Sequence, residues 1–305
     1  MSDVVDILTI AAAPLATRER ARWASFLELA KPRLSALALV ATAVGFLLAL
    51  PEGASMRPAL LLATVVGTAL AVAGANALNQ VIESGYDARM VRTRERPLPT
   101  GRVSACEGAA FGVTACVAGV SLLAAIVTGL AAVLVAVAAA SYVAVYTPLK
   151  RITPLCVFVG AVPGALPPVV GWTAAGGSLG GEALILFTIL YFWQLPHFAA
   201  ISWQYRDDYA KAGYPMLSVV DREGTRLNLH VVTHTVGLIF VSVLPSMYGM
   251  TGAAYGVTAM ILGVAFLAAC GVFLARRTRT AARGAVLVSI VYLPLLLAVM
   301  LLDKA

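Results

Sequence analysis

Three polar side chains at steps of four close a long apolar stretch and are the first candidates for chemistry. Asn79, Glu83 and Asp87 follow the almost uncharged residues 59–78. Residues four apart share one helix face, so an amide and two carboxylates would converge there. Carboxylates at a helix C-terminus oppose the helix dipole at a cost of about 0.3–1 kcal/mol each, so they need a nearby cation. Oxygen ligands of this kind favour Mg²⁺, which binds one or two carboxylates together with substrate phosphates.

Basic residues follow this acidic motif directly. Arg92 and Arg96 belong to a run of four arginines between residues 89 and 96 and are candidates for binding an anionic group. The same pattern also fits a solvated helix end followed by a basic loop, and the spacing alone leaves both interpretations open.

A second acidic cluster lies in residues 205–219. Asp207 and Asp208 stand beside Arg206 and Lys211, so they could bind a metal and a phosphate from the opposite wall of a cavity. A salt-bridged loop, which usually contributes little to stability, is the alternative. Together, the two carboxylate clusters with basic neighbours predict a diphosphate held by a metal ion.

Composition determines the elements that must position these residues. Hydrophobic residues make up 60% of the chain and charged residues 12%, against about 45–50% and about 25% in soluble domains. Nine apolar runs have lengths near the 20 residues that a membrane-spanning helix needs. We therefore predict an all-α polytopic membrane protein with nine transmembrane helices around a central cavity. The runs, named spans 1 to 9, are residues 34–50, 58–81, 104–126, 129–147, 155–174, 183–203, 229–248, 253–275 and 285–302.

Charge in the connecting segments predicts the orientation. Of 22 lysines and arginines, 20 lie in the N-terminal segment or in the loops that follow the even-numbered spans. The positive-inside rule then places the N-terminus in the cytoplasm and the C-terminus outside. The net charge of +7 follows from this topology and gives affinity for anionic lipid or diphosphate, so no nucleic-acid partner is implied.

The N-terminal segment reads as part of the protein and not as a targeting peptide. Its basic residues follow its short apolar run, which is the wrong order for a secretory signal. The acidic Asp3, Asp6 and Glu19 argue against a mitochondrial transit peptide. We expect residues 1–33 to form a cytoplasmic segment and residues 34–305 to form a single transmembrane domain.

Span 5 contains several helix breakers. Pro163, Pro167 and Pro168 would interrupt its hydrogen-bond ladder, which a membrane tolerates where the freed groups are buried in protein or line a cavity. We favour cavity lining over a kinked packing helix. Three residues at the entrance of this span could bind anionic groups: Tyr146, Lys150 and Arg151. A basic pair that only follows the positive-inside rule would have the same spacing.

Several stretches resemble the UbiA superfamily of intramembrane prenyltransferases. They are NQVIESGYDARMVRTRERPLPTG from residue 79, YTPLKRIT from 146, GAVPGALPPVVGW from 160 and WQLPHFAAISWQYRDDYAKAGYPMLSV from 193. The superfamily's N-x-x-x-D-x-x-x-D motif is present with Glu83 at the middle position, where charge and oxygen ligation are retained. RTRERPL and LPHF are similar to the haem-modifying members. Of the second acidic motif, Asp208 is the firm match.

This resemblance implies an enzyme and a set of roles. Asn79, Glu83, Asp87 and Asp208 would hold Mg²⁺ and act in catalysis. The donor would be farnesyl diphosphate and the acceptor a vinyl group of haem B, with water addition to give haem O for haem A biosynthesis. The setting would be the lipid bilayer of a bacterial inner membrane, with haem A synthase or cytochrome oxidase assembly factors as possible partners. The implied substrate-binding residues are Arg92, Arg96, Tyr146, Lys150, Arg151, His197, Asp207 and Lys211.

Three histidines could contact haem. His197 follows Pro196 in the span that leads to Asp208, and it is the candidate for haem contact. His230 and His234 share one helix face and could bind a metal or haem iron. Because no third ligand is evident, a hydrogen-bonded helix pair is the preferred interpretation of these two.

Two other function classes fit parts of the sequence. A prenyltransferase acting on a hydroxybenzoate or quinone precursor would share the acidic motifs, but RTRERPL, YTPLKR and LPHF argue against it. A transporter would show paired broken helices and charge at the membrane midplane. Here the charge gathers at one face.

Overall fold

The computed structural model describes residues 15–51 and 53–305, and the regular elements in these residues are helices. Within this described part, nine helices are long and apolar enough to cross a membrane, which confirms the predicted architecture. Spans 1 to 9 are Pro32–Ala49, Pro58–Asp87, Ala105–Val127, Gly129–Leu149, Cys156–Ala174, Gly181–Gln204, Thr225–Met247, Ala253–Arg276 and Arg279–Leu302.

Local sequence explains several helix ends. Span 3 begins at a capping box, in which Ser104 accepts from the backbone N–H of Glu107 and the Glu107 carboxylate accepts from the backbone N–H of Ser104, so two otherwise unpaired donors are satisfied. Span 2 continues to Asp87, six residues beyond the predicted end at 81. The whole acidic motif therefore lies inside the helix, as its steps of four predict.

Small residues bring spans 2 and 3 together. A Cβ at Gly74 would overlap the backbone at Gly112, and one at Gly119 would overlap the backbone at Gly67. Such close approach is the usual basis of helix association in membranes, where van der Waals contact replaces the hydrophobic effect. Span 2, which carries the motif, is thereby fixed along its length.

Span 5 is broken, as its prolines predict. It consists of two helices, Cys156–Ala165 and Pro167–Ala174, that meet at Leu166. The first half packs on span 6, where a Cβ at Gly164 would overlap the side-chain amide of Gln194. The second half packs on span 1, where a Cβ at Gly171 would overlap the carbonyl of Thr42. Residues of both halves line one cavity together with residues of spans 1, 2, 4 and 6.

One end of the bundle, here called the charged face, is covered by shorter elements. They are the helix Leu15–Ala30, the loop of residues 88–104, and the short helices Arg206–Ala212 and Leu217–Val220. Met90, Tyr209 and Tyr214 form a small buried cluster that ties the loop to the short helices. Part of the predicted N-terminal segment, residues 1–14, lies outside the described residues.

Candidate active site

The acidic motif of span 2 is buried at the charged face. Asn79, Glu83 and Asp87 are 3%, 2% and 1% exposed, and their spacing places them on one side of the helix. Carboxylates removed from water in this way require charged or hydrogen-bonding partners. The motif is therefore a built site and not a solvated helix end.

The chain supplies cations to both carboxylates. Lys150 Nζ donates to the two oxygens of Glu83 at 3.0 and 3.1 Å, and Lys150 is itself 8% exposed. Arg96 donates to Asp87 Oδ2 at 2.7 Å. Lys150 and Arg96, which the sequence predicts to bind substrate, therefore contact the predicted metal ligands.

Asn79 connects the motif to two residues that sequence analysis missed. Its Nδ2 donates to Thr147 Oγ1 at 3.0 Å, and Lys31 Nζ donates to its Oδ1 at 3.4 Å. Burial, together with repulsion by Arg96, lowers the pKa of Lys31 from its usual value to about 7. The sequence feature that could have indicated a role for Lys31 is its position at the start of span 1, next to Pro32. A basic residue at this position also fits the positive-inside rule, so it does not by itself indicate a site.

The donor set at this site fits a magnesium ion. Asp87 Oδ1 is buried and has no hydrogen-bond partner, so one carboxylate oxygen is available for a cation. The described part of the chain contains no group of three His, Cys, Asp or Glu side chains arranged to hold a metal. Glu83 and Asp87 would therefore need the oxygen of Asn79 and oxygens of a phosphate ligand, which is the mixture that Mg²⁺ prefers.

Tyrosines from three segments surround the cations. Arg92 donates to the Tyr209 hydroxyl at 2.8 Å. Burial raises the pKa of Tyr214, so its hydroxyl stays neutral. Cations over aromatic faces gain electrostatic attraction. Three of the cation–tyrosine pairs here lie within 5 Å: Arg92 over Tyr205 at 4.8 Å, Lys150 over Tyr214 at 4.7 Å, and Arg151 over Tyr86 at 4.5 Å.

The second acidic cluster lines a cavity of about 580 Å³. Asp207 is exposed there and forms ion pairs with Arg279 and Arg206. Asp208 and Lys211 line the same cavity, and neither forms an ion pair within the described residues. Arg92 also lines it and reaches Tyr209, so the two acidic regions are neighbours. The predicted metal-binding role of Asp208 stays a prediction.

A mostly apolar cavity of about 240 Å³ lies between spans 1, 2, 4, 5 and 6, next to this site. Both halves of the broken span 5 contribute to its wall, through Gly160, Pro163 and Pro167. At the charged end it is lined by Asn76, one turn before Asn79, and by Tyr142 in the π-helical turn Ser141–Tyr146. An extended apolar chain with a charged head would match this arrangement.

His197 and Tyr146 lie in different surroundings. Nδ1 of His197 lies 2.6 Å from Ser289 Oγ, and its ring stacks on Trp193 at 4.9 Å, so the side chain packs between spans 6 and 9. It lines none of the cavities described here, and its predicted contact with haem stays a prediction. Tyr146 lines a third cavity together with Tyr209.

Comparison with known proteins gives concordant matches. The model of the UbiA prenyltransferase family matches residues 38–298. Protoheme IX farnesyltransferase of Solibacter usitatus is 44% identical, covering 92% of this chain and 98% of that protein. The protein of the same name from Opitutus terrae is 41% identical, with 93% and 96% covered.

Solved structures share the architecture. A structure of digeranylgeranylglyceryl phosphate synthase superposes with a TM-score of 0.76 at 16% identity, covering 92% of this chain and 98% of the other. A UbiA homolog from Archaeoglobus fulgidus bound to DMAPP and Mg²⁺ gives 0.63 at 14% identity, with 90% and 99% covered. At these identities the likeness establishes the fold.

Proposed function

The chain belongs to the UbiA prenyltransferase family, and we propose that it transfers the farnesyl group of farnesyl diphosphate to a vinyl group of haem B, with water addition, to give haem O. The observation that carries the donor half is a buried set of oxygen ligands and cations, next to an apolar cavity lined by Asn76, one helical turn before Asn79. The acceptor half is supported by full-length relatives named protoheme IX farnesyltransferase.

Basic side chains at the charged face are the diphosphate-binding groups of this proposal. Lys150 and Arg96 hold carboxylates at 3.0 and 2.7 Å, and a diphosphate arriving with a cation would compete for the same donors. Arg92 and Arg151 lie at the rim and can donate to further oxygens. Asp207 and Lys211 border the neighbouring cavity and belong to the proposed entrance.

Asn79, Glu83 and Asp87 are the proposed Mg²⁺ ligands, with Asp208 contributing from the neighbouring cavity. When bound, the ion would neutralise charge on the leaving diphosphate. The Mg²⁺ and DMAPP bound to the A. fulgidus homolog support a magnesium ion in this proposal. Within this chain the support is Asp87 Oδ1, a buried carboxylate oxygen without a hydrogen-bond partner.

The reaction breaks the allylic carbon–oxygen bond and forms one carbon–carbon bond. Diphosphate leaves with the bonding electrons, and cations around it lower that barrier. The vinyl group of haem B then supplies an electron pair to the farnesyl cation. Positive charge arises next to the porphyrin, and water adds there with loss of a proton, which gives the hydroxyl group of the product.

The cavity walls protect the cation until the new bond forms. Few polar groups line the apolar cavity, so water has little access to a farnesyl chain that fills it. Tyr142 and Tyr146 stack at 5.4 Å near its charged end, and such aromatic faces can stabilise a cation.

The setting of this proposal is a bacterial inner membrane. The chain is a multi-pass membrane protein, and residues 34–305 would form one domain with a cytoplasmic N-terminus and a periplasmic C-terminus. The lipid bilayer is the direct partner. Haem A synthase or cytochrome oxidase assembly factors would receive the product.

Product analysis tests the function. Membranes containing the full chain are given haem B, farnesyl diphosphate and Mg²⁺, and extracted haems are analysed by mass spectrometry. We expect a haem heavier by one farnesyl group and one hydroxyl group, which have added across the vinyl double bond. In parallel, 4-hydroxybenzoate replaces haem as acceptor. A prenylated hydroxybenzoate with unchanged haem would overturn the haem assignment and leave the prenyltransferase family intact.

A further inference from the structure

The third cavity, which Tyr146 and Tyr209 line, is too small for either organic substrate. Its volume is about 80 Å³, whereas typical small-molecule sites have roughly 300–1,000 Å³. A water molecule takes about 30 Å³ of liquid, so the cavity has room for a few water molecules. Phe198 lines both this cavity and the larger apolar cavity. The third cavity therefore adjoins the proposed reaction at the distance of one aromatic ring.

The lining of the third cavity suits water. Water is retained in a cavity where about two to four polar groups can bond to it. Three hydroxyl groups and an imidazole occur among the lining residues, on Tyr146, Ser202, Tyr209 and His230. The Tyr146 hydroxyl has no hydrogen-bond partner in the described part of the chain. The Tyr209 oxygen accepts from Arg92, so its own hydrogen remains available to donate.

One ring nitrogen of His230 is free to accept a proton. Nε2 lies 3.4 Å from the carbonyl oxygen of Leu195. Because a carbonyl only accepts, Nε2 carries the hydrogen and Nδ1 holds the lone pair. Among the described residues Nδ1 has no hydrogen-bond partner. Although the residue is only 8% exposed, its Nδ1 is not sealed off by surrounding atoms. A neutral imidazole in the wall of the cavity can act as a base.

The proposed reaction needs water at its second step and not at its first. Once the carbon–carbon bond has formed, positive charge lies on the carbon next to the porphyrin, and water must add there. Water that met the farnesyl cation earlier would convert it to farnesol, so early access would waste the donor. A cavity behind Phe198 keeps a few water molecules close to the reaction and outside the apolar cavity.

We propose that the third cavity holds the water that adds to the cation next to the porphyrin, and that His230 Nδ1 accepts its proton. A lone pair of the water forms the carbon–oxygen bond, one O–H bond breaks, and the proton moves to Nδ1. The imidazolium then loses this proton to bulk water, which regenerates the base. This inference rests on the proposed function, because that function supplies the cation.

The fate of the cation tests the proposal. Without a placed water and base, the cation loses a proton from the neighbouring carbon to the released diphosphate, which gives an alkenyl haem lighter than the hydroxylated product by one water. Membranes containing the full chain are given haem B, farnesyl diphosphate and Mg²⁺ in isotopically labelled water. Mass spectrometry measures both haems, and released diphosphate is counted. In His230→Leu we expect the ratio of alkenyl to hydroxylated haem to rise at least tenfold, with diphosphate release within threefold of the wild type.

Two further variants separate the base from the cavity. His234→Leu is the matched control, because His234 lies on the same helix but lines none of the cavities described here. Its Nδ1 already donates to the carbonyl of His230 at 2.6 Å, and its product ratio should equal that of the wild type. Ala199→Val narrows the third cavity and leaves His230 in place. It should raise the share of alkenyl haem as well.

Several results would overturn the proposal. They are a wild-type product ratio in His230→Leu, an equal rise in His234→Leu, and loss of diphosphate release in a His230→Leu protein with the wild-type unfolding midpoint, which would place His230 in the first step. If His230→Leu does not fold, a wild-type ratio in Ala199→Val has the same consequence. Wild-type membranes that make no farnesylated haem reject the proposed function itself, whereas hydroxylated haem from the wild type and His230→Leu alike rejects only the water assignment.

Discussion

At the scale of single residues, the site is a set of buried charges that the chain neutralises by itself. Glu83 is bound by Lys150 and Asp87 by Arg96, so a metal–diphosphate pair would replace one set of ion pairs with another. A buried carboxylate without any partner is costly. The cations therefore have two roles, since they stabilise the folded chain and are available to the substrate.

Removing carboxylate charge should reduce catalysis while the protein still inserts into the membrane. In Glu83→Gln and Asp87→Asn the side chains keep their size and hydrogen-bonding capacity. We expect farnesyl transfer by each variant to fall more than tenfold, where each tenfold step corresponds to about 1.4 kcal/mol of barrier. Haem product formation at saturating Mg²⁺ is the measurement. Wild-type turnover in either variant would contradict the metal–diphosphate assignment.

Removing the cation that neutralises Glu83 should affect stability as well. Lys150→Met leaves a carboxylate that is 2% exposed without its ion-pair partner, a change that typically costs about 3–5 kcal/mol. We expect a lower midpoint of thermal unfolding in detergent.

The matched control is the double variant Lys150→Met with Glu83→Gln. It removes both charges, so the unfolding midpoint should recover while activity stays low. If the single variant unfolds at the wild-type temperature, the pair contributes nothing to stability and its buried geometry is wrong.

At the scale of elements, the broken span 5 shapes the cavity because each half packs on a different neighbour. Glycines make both contacts possible, since Gly164 lies against Gln194 of span 6 and Gly171 against the Thr42 carbonyl of span 1. The prolines free the helix to change direction at Leu166.

A methyl group at Gly171 should disturb this packing. Gly171→Ala would force span 1 and the second half of span 5 apart, because the clash is with backbone atoms. Overpacking of this kind costs about 1–3 kcal/mol. We expect a lower unfolding midpoint and weaker farnesyl diphosphate binding.

Gly271→Ala is the matched control, since a Cβ at this helical position meets nothing within 4 Å. It should unfold at or slightly above the wild-type temperature because alanine favours the helix. Equal destabilisation by both substitutions would show that the close contact at Gly171 is not the cause of the effect.

At the scale of the whole molecule, the alternation of nine spans puts every charged site element at one end. The acidic motif, the arginine run, Lys150 and the helix Arg206–Ala212 converge there, while the apolar cavity extends into the bundle. A reaction between a diphosphate from the aqueous phase and a membrane-dissolved acceptor needs both a charged end and an apolar interior.

Labelling of introduced cysteines tests the topology. Arg94 and Ser178 are exposed and lie on opposite sides of the spans. In a background where the four native cysteines are replaced, because Cys106 is also exposed, Arg94→Cys should react with an impermeant reagent only from the cytoplasmic side. Ser178→Cys should react only from the other side. Reaction of both from one side would contradict the nine-span arrangement.

Sequence alone determined the features that depend on local patterns. Apolar runs of membrane length gave nine spans, prolines gave the break in span 5, and steps of four gave the shared face of Asn79, Glu83 and Asp87. The family followed from motifs and was confirmed. Each of these patterns lies within a few helical turns, so it does not depend on how distant segments of the chain pack.

Tertiary structure decided which residues meet. Glu83 and Lys150 are 67 residues apart in the chain, and no local pattern pairs them. The same holds for Lys31 with Asn79 and for His197 with Ser289. The first contact brings Lys31, which the sequence did not predict, into the site. The second places His197, a predicted site residue, in a packing interface. Helical periodicity specifies which face of a helix is polar, but the neighbour that this face meets depends on how all nine helices pack, and that is a property of the whole chain.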